Sequence, residues 1–146
     1  MGENVETRRA EEKDVSVIAE IWISQMRSPP YNLAMSDDEA LDAIRGYISS
    51  VDLTVAVVEN EVVGFCAASL YRYIDGYRVW ISELHVRKGM ERKGIGGALI
   101  RSLEERFRPH GARVLELLTH ESSDASRFYE ANGFVTTSFR KCEKRI

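Results

Sequence analysis

Apolar residues recur along the first third of the chain with the spacing of helices, after one short strand-like stretch. The pattern predicts a strand at Val5 to Arg9 and then a helix that starts at Glu11. The sequence Ser28-Pro29-Pro30 ends this helix, because proline cannot continue a helix and disfavours it in the preceding residue. Ser36 and Glu39 have the spacing of a capping box, so a second helix is expected to start there.

A stretch rich in Val, Ala and Phe follows and predicts three consecutive antiparallel strands. They are expected at Leu53 to Glu59, Val62 to Leu70 and Tyr77 to Val86. Asn60-Glu61 and Asp75-Gly76 have the composition of tight turns and would join them.

The last third of the chain alternates between helix and strand. Gly94 is expected to open a helix that Pro109 and Gly111 stop. The elements expected after it are a strand at Val114 to Thr119, a helix capped by Ser122 or Ser123 and closed by Asn132-Gly133, and a last strand at Phe134 to Phe139. The predicted fold class is therefore α/β, a mixed α+β sheet in the order β-α-α-β-β-β-α-β-α-β, in a single domain of residues 1–146.

The overall charge changes this picture by excluding some partners. Acidic residues outnumber basic ones by 23 to 20, which gives a net charge of -3 and argues against nucleic-acid binding. No apolar run approaches the roughly 20 residues of a membrane span, and the N-terminus lacks a signal peptide, so we expect no membrane partner and a cytoplasmic protein. The two cysteines, Cys66 and Cys142, form neither a disulfide framework nor a zinc pattern, and no metal is expected.

Positive charge is nevertheless concentrated in one loop between a strand and a helix. Arg87, Lys88, Arg92 and Lys93 lie just before the glycines at 94, 96 and 97. A helix N-terminus offers unpaired N–H groups, and glycines allow a phosphate to approach them closely. The loop therefore predicts a phosphate-containing ligand, although a tight turn with solvated charges would have the same composition.

Two other phosphate-binding motifs fit this loop poorly. A Walker A loop requires Lys and then Ser or Thr after its second glycine, but Ile95 and Gly96 follow Gly94. A dinucleotide fingerprint requires a third glycine where this chain has Leu99, and it belongs to an early βαβ unit.

Several motifs together resemble the Gcn5-related N-acetyltransferase (GNAT) superfamily. Glu91-Arg92-Lys93-Gly94-Ile95-Gly96 looks like its acetyl-CoA loop, Gln/Arg-x-x-Gly-x-Gly/Ala, with Glu91 as a departure at the first position. Ile81 to Val86 looks like the strand that precedes this loop. Ala125 to Phe134 is similar to the family segment A-x-x-F-Y-x-x-x-G-F. The resemblance covers nearly the whole chain in the family order.

This resemblance implies an acetyl-CoA-dependent transfer of an acetyl group to an amine. It implies that Tyr129 lies near the sulfur of the cofactor, as general acid or hydrogen-bond donor. The expected cofactor-binding residues are Leu84, His85, Val86, Glu91, Arg92, Lys93, Gly94, Ile95, Gly96, Gly97, Ser122 and Tyr129. It also implies a homodimer.

Glu83 and His85 are candidates for the general base, because both lie on the strand before the loop. In a regular strand, residues two apart share one face. Without a catalytic role, Glu83 would be a surface carboxylate, His85 a structural histidine and Tyr129 a packing residue. A non-catalytic acyl-CoA-binding sensor of the same fold is the second functional hypothesis, and Glu91 is the residue that favours it.

Overall fold

The computed structural model describes residues 4–121 and 124–146, whose strands form one five-stranded sheet. The strands are β1 (Glu6–Arg9), β2 (Asp52–Val58), β3 (Glu61–Tyr73), β4 (Gly76–Val86) and β5 (Ala112–Glu116), and they lie in that order. The first four are antiparallel, whereas β5 runs parallel to β4. The predicted mixed sheet is thus confirmed.

Helices cover both faces of this sheet. They are α1 (Val15–Met26), α2 (Asp37–Ser50), α3 (Ile95–Phe107) and α4 (Ala125–Ala131), with short 3₁₀ turns at Glu12–Asp14 and Arg108–His110. Helices α1 and α2 pack with Phe65 and Ala67 on one face, and α3 packs with Cys66 and Ala68 on the other. Alternate residues of β3 therefore belong to two separate cores, as the two-residue period of a strand requires.

The predicted caps of two helices are confirmed. The Ser36 hydroxyl accepts a hydrogen bond from the Glu39 N–H at 3.1 Å, and the Glu39 carboxylate accepts one from the Ser36 N–H at 2.7 Å. At the end of α4, Gly133 has a φ of 88°, which is the left-handed conformation expected of a glycine there.

Both hairpin turns lie one residue earlier than predicted. Glu59 and Asn60 have φ values of 49° and 65°, so they form the turn between β2 and β3. The next turn consists of Ile74 and Asp75. Strand β3 consequently runs three residues past the predicted Leu70, because it continues to pair with β4 as far as Tyr73 opposite Gly76.

Strand β4 contains one extra residue relative to β3. Glu83 pairs with Ala67 and Ile81 pairs with Ala68, so Ser82 has no partner position. Such a bulge shifts the alternation of side chains on the bulged strand. Ile81 faces the α3 core, whereas Glu83 and His85 lie opposite Ala67 and Phe65 on the α1/α2 face.

The predicted last strand is wrong, since residues 134–146 form no strand. Phe134 packs against the α3 core, but Val135 and Phe139 are 82% and 87% exposed. Alternating apolar residues form a strand only when they can bury one face and pair their backbone with a neighbour. Strand β5 also ends earlier than predicted, at Glu116 rather than at Thr119.

Among residues 4–121 and 124–146, no helix has the length and apolar character needed to cross a bilayer.

Candidate active site

Strands β4 and β5 separate partway along the sheet. Their parallel pairing ends at Trp80 opposite Glu116, so no strand of the described residues lies beside the β5-facing edge of β4 from Ile81 to Val86. The open edge leads to the loop that carries Gly94 and to the start of α3. An unpaired strand edge presents backbone N–H and C=O groups that an extended ligand can bind.

Glu83 lies on this part of β4 with both carboxylate oxygens in hydrogen bonds. The Tyr47 hydroxyl donates to Oε1 at 3.1 Å, and Nε2 of His85 lies 2.6 Å from Oε2. The side chains of Glu83 and His85 are only 15% and 12% exposed. Glu83 and His85 share a face because they are two residues apart, and the bulge at Ser82 turns that face towards Tyr47 on α2.

Tyr47 was missed by the sequence analysis, although a signal for it exists. It follows Ala40 and Ile44 at positions i, i+4 and i+7, so it belongs to the buried stripe of α2. A tyrosine at the edge of such a stripe keeps its ring in the core and needs a partner for its hydroxyl. Burial, followed by the charge of Glu83 and the hydrogen bond to it, raises the pKa of Tyr47 to about 12.

Tyr129 on α4 is held between two aromatic rings. The ring centroids of Phe128 and Phe134 lie 5.2 Å and 5.5 Å from that of Tyr129, both edge-on. Burial raises the pKa of Tyr129 to about 12, and the electrostatic influence of Tyr31 and Glu83 adds to this effect. Tyr129 therefore lies within electrostatic range of Glu83 and keeps its proton at neutral pH.

Tyr31 is a second residue that the sequence analysis did not find. It lies in the irregular segment between α1 and α2, after Pro29 and Pro30, where no periodicity could have indicated its direction. It is 45% exposed, close enough to Tyr129 to influence the pKa of that residue.

The glycine loop forms a helix N-terminus with open backbone donors. Gly94 has a φ of 79°, a conformation that favours glycine, and as a residue without a side chain it cannot cap the helix. The first helical bond of α3 runs from the Ala98 N–H to the Gly94 carbonyl at 3.0 Å. The N–H groups of Ile95, Gly96 and Gly97 precede this bond and therefore have no partner within the helix.

Gly96 and Gly97 serve packing as well as ligand access. A Cβ atom on Gly96 would come within 2.6 Å of Cζ of Phe128, and one on Gly97 within 3.2 Å of an Arg101 nitrogen. Because Gly96 is small, α4 can approach α3 closely. The ring of Phe128, the residue before Tyr129, therefore packs against the start of α3. These two glycines therefore have a packing role in addition to the phosphate access predicted from the sequence.

Glu91, the departure from the family pattern, turns back on its own loop. Its carboxylate accepts a hydrogen bond from the Gly89 N–H at 2.7 Å. The charge of Glu91 thus has a donor within the loop. Arg92, at a φ of 63°, and Lys93 are both exposed beside Gly94. These two residues can contribute positive charge to an anion at the helix start.

The other two basic residues of the loop contact α1 and the segment after it. Arg87 pairs with Glu20 at 3.2 Å, and the Lys88 ammonium donates to the Ser28 hydroxyl at 2.5 Å. They are therefore directed away from the start of α3 and towards the first helix. Leu84 and Val86 are half-buried against the α3 core, and Ser122 lies outside the described residues.

The remaining polar chemistry is limited in the part of the chain that the structure describes. No cluster of three or more His, Cys, Asp or Glu side chains there could hold a metal ion. Cys66 is fully buried, and burial raises the pKa of its thiol to about 12, so it is not a reactive thiolate at neutral pH.

The open strand edge, the start of α3 and α4 all lie within a segment that matches a known family model. The acetyltransferase (GNAT) family model matches residues 15–134. The chain belongs to the GNAT acetyltransferase family. Comparison with curated protein sequences gives no significant match.

Solved GNAT acetyltransferase structures share this fold. A possible acetyltransferase from Clostridium difficile 630 superposes with a TM-score of 0.84 at 17% identity, over 97% of each chain. An aminoglycoside N-acetyltransferase in complex with CoA gives 0.76 at 18% identity, over 99% of this chain and 97% of the other. A ribosomal-protein-alanine N-acetyltransferase from Brucella melitensis biovar Abortus 2308 gives 0.79 at 17% identity, over 98% and 99%.

Proposed function

We propose that this GNAT protein transfers the acetyl group of acetyl-CoA to a primary amine by direct attack within a ternary complex. The proposal rests on the presence of two groups in one region. One is the Glu83 carboxylate, held by His85 and Tyr47, and the other is the protonated phenol of Tyr129. One group can accept a proton and the other can donate one, and they are close enough to interact electrostatically.

Acetyl-CoA would bind along the open edge of β4 and at the start of α3. The N–H groups of Ile95, Gly96 and Gly97 suit the pyrophosphate, together with the exposed charges of Arg92 and Lys93. Backbone groups of Leu84 to Val86 suit the extended pantetheine arm, since β5 does not pair with this edge. A backbone N–H there can also polarise the thioester carbonyl.

Removal of a proton from the acceptor amine falls to Glu83. An alkyl ammonium group must lose a proton before its nitrogen can attack the thioester carbon. The Glu83 carboxylate takes this proton directly or through a water, and His85 at 2.6 Å can share it. The C–N bond then forms as the C–S bond breaks.

Tyr129 would supply the proton that the departing thiolate of CoA needs. Its pKa of about 12 means that the phenol is protonated throughout the neutral range and can donate to a developing negative charge. The amine releases two protons overall, one to Glu83 and one on collapse to the amide. One of these restores Tyr129, so one proton is released to solvent per turnover.

The acceptor class is proposed only as a primary amine, either of a small molecule or of a protein. The structural neighbours include an aminoglycoside acetyltransferase and a ribosomal-protein-alanine acetyltransferase, and both kinds of acceptor present amines. Around Glu83 and Tyr129, the described residues offer the carboxylate of Glu83 and the rings of Tyr31 and Tyr47 to an acceptor. This is a suitable environment for a cationic amine.

We further propose a cytoplasmic homodimer. The exposed side chains of Leu118, Val135 and Phe139 lie on the chain after β5, the edge strand of the sheet, and would be covered in a dimer. The two unpaired thiols, Cys66 and Cys142, suit a reducing compartment. Light scattering at several concentrations would test the dimer, and a mass of 16.6 kDa throughout would exclude it.

The first experiment is a thermal-melt screen followed by an assay of thiol release. Acetyl-CoA and CoA should raise the melting temperature, whereas ATP and NAD should not. Thiol release should then follow with at least one member of a panel of small amines, aminoglycosides and peptides with free N-termini. Glu83→Gln should lower kcat about 100-fold or more, whereas Glu61→Gln, the same change at an exposed position, should not.

The outcomes of this screen separate the two hypotheses. A melting shift without thiol release from any amine would favour the acyl-CoA-binding sensor. Absence of a shift with CoA compounds would contradict the assignment of the Gly94 loop.

A further inference from the structure

The carboxylate of Glu83 is held by residues from two different elements. His85 contacts Oε2 from the same strand at 2.6 Å, and Tyr47 donates to Oε1 from α2 at 3.1 Å. We propose that Tyr47 is a positioning residue, which together with His85 fixes the orientation of the Glu83 carboxylate at the open edge of β4. The inference rests on the proposed function for its kinetic consequences, but the contact itself can be tested without turnover.

The position of Tyr47 is fixed by the packing of α2 on the sheet. Ala40 and Ile44, two turns and one turn before it, are 1% and 0% exposed, so this face of the helix has little freedom to move. The ring of Tyr47 packs against the same core, and its hydroxyl is at the boundary with Glu83. A donor mounted on a packed helix costs little entropy when it forms its hydrogen bond.

Tyr47 acts only as a hydrogen-bond donor near neutral pH. Burial and the nearby Glu83 raise its pKa to about 12, so the hydroxyl keeps its proton. The hydroxyl can therefore hold Oε1 of Glu83 in one orientation throughout the neutral range.

Few other titratable groups of the described residues face the Glu83 carboxylate. His85 faces Glu83 from β4, and Tyr129 feels its charge from α4. The acidic residue of α1, Glu20, is paired with Arg87 instead. Helix α3 packs on the opposite face of the sheet.

The chain provides a matched control for the Tyr47 contact. The hydroxyl of Tyr71 on β3 donates to the carboxylate of Glu116 on β5, which is the same pair of chemical groups away from Glu83. Tyr71→Phe and Glu116→Gln therefore remove a tyrosine–carboxylate bond without touching the proposed site.

The contact is tested by NMR of protein labelled at the tyrosine Cζ carbons. The Tyr47 signal is the one lost in Tyr47→Phe. We expect it to move in Glu83→Gln and to stay in place in Glu116→Gln, which should move the Tyr71 signal instead. A Tyr47 signal that does not respond to Glu83→Gln would overturn the proposal, whether or not any amine is acetylated.

The positioning role is tested by kinetics of the active wild-type protein and Tyr47→Phe. We expect kcat to fall about 5- to 20-fold with KM for acetyl-CoA nearly unchanged, since loss of a hydrogen bond to a charged group has an effect of this order. Tyr71→Phe should leave both kcat and KM nearly unchanged. An unchanged kcat in Tyr47→Phe, or a change confined to KM, would overturn the positioning role. Absence of thiol release by the wild type would count against the proposed function, independently of the NMR result.

Discussion

The ring of Phe128 lies over the Cα atom of Gly96, where an added Cβ atom would come within 2.6 Å of Cζ. This contact joins the start of α3 to α4, and the next residue on α4 is Tyr129. One glycine therefore connects the proposed phosphate site with the proposed general acid.

Gly96→Ala should accordingly impair catalysis as well as stability. The new methyl group must displace Phe128, and Tyr129 with it, because the ring of Phe128 packs against that of Tyr129. We expect the free energy of unfolding to fall by about 1–3 kcal/mol and kcat to fall about tenfold or more. Chemical denaturation and thiol-release kinetics measure the two effects.

Gly46→Ala is the matched control for this substitution. Gly46 lies within α2, and a Cβ atom added there would meet nothing within 4 Å. The change should stabilise the protein by about 0.5–1 kcal/mol through helix propensity. If Gly46→Ala and Gly96→Ala had the same effect on stability and kcat, the contact between Gly96 and Phe128 would not be the cause of the effect of Gly96→Ala.

Tyr129→Phe should lower kcat while KM for acetyl-CoA changes little. The ring and its packing are kept, and only the hydroxyl that would protonate the thiolate is lost, so a fall of about 10²-fold or more is expected. Because the pKa of Tyr129 is about 12, the wild-type rate should show no decline from its ionisation up to pH 10. An effect confined to KM would indicate a role in binding alone.

Glu91→Gln should leave acetyl-CoA binding intact or strengthen it. The carboxylate binds the Gly89 N–H and contributes negative charge near the loop, so its neutralisation should lower Kd by about two- to fivefold at low salt. Titration calorimetry measures this change. Glu105→Gln on the exposed side of α3 is the control for the change in net charge, and weaker binding in Glu91→Gln alone would contradict the expectation.

The ion pair between Arg8 and Asp14 should make stability depend on pH. Asp14 is buried, and the hydrogen bond from Arg8 at 2.7 Å is the main cause that holds the pKa of its carboxyl below the ordinary value. A lowered pKa in the folded state stabilises the protein above pH ~4, and this stabilisation is lost as pH falls through the lowered value.

Asp14→Asn should therefore lower the free energy of unfolding by about 1–3 kcal/mol at pH 7, and by less at pH 3. Urea denaturation at the two pH values measures the difference. Glu143→Gln breaks the exposed pair with Lys141 and should have almost no effect. If Asp14→Asn lowered the free energy of unfolding equally at both pH values, the cause would be lost packing and not the ion pair with Arg8.

The helices and the order of the elements along the chain could be predicted down to α4, because local patterns determine them. The capping box at Ser36 and the apolar stripe of α3 were recognisable in the sequence and are present in the structure. The strand at Phe134 to Phe139 had a similar pattern, but its formation depends on a free sheet edge and a buried face, which no local pattern reports.

The candidate residues that could be named from the sequence are those that lie in recognisable motifs. Glu83, His85, Gly94 and Tyr129 all lie in segments that resemble the family. Tyr47 comes from a helix 36 residues before Glu83, and only the packing of α2 on the sheet brings the two together. Tyr31 lies in an aperiodic segment, so no spacing could have indicated that it lies near Tyr129.

The bulge at Ser82 determines which side chains of β4 lie on each face of the sheet. If Ser82 took a regular place in the strand, strict alternation would continue, and Glu83 and His85 would point into the apolar core beneath α3 while Leu84 faced α2. Because the bulge takes up Ser82 instead, Val79, Ile81, Leu84 and Val86 all lie on the α3 face, and Glu83 and His85 lie on the other. Deletion of Ser82 should therefore leave Glu83 and His85 on the α1/α2 face, because Glu83 would then directly follow Ile81.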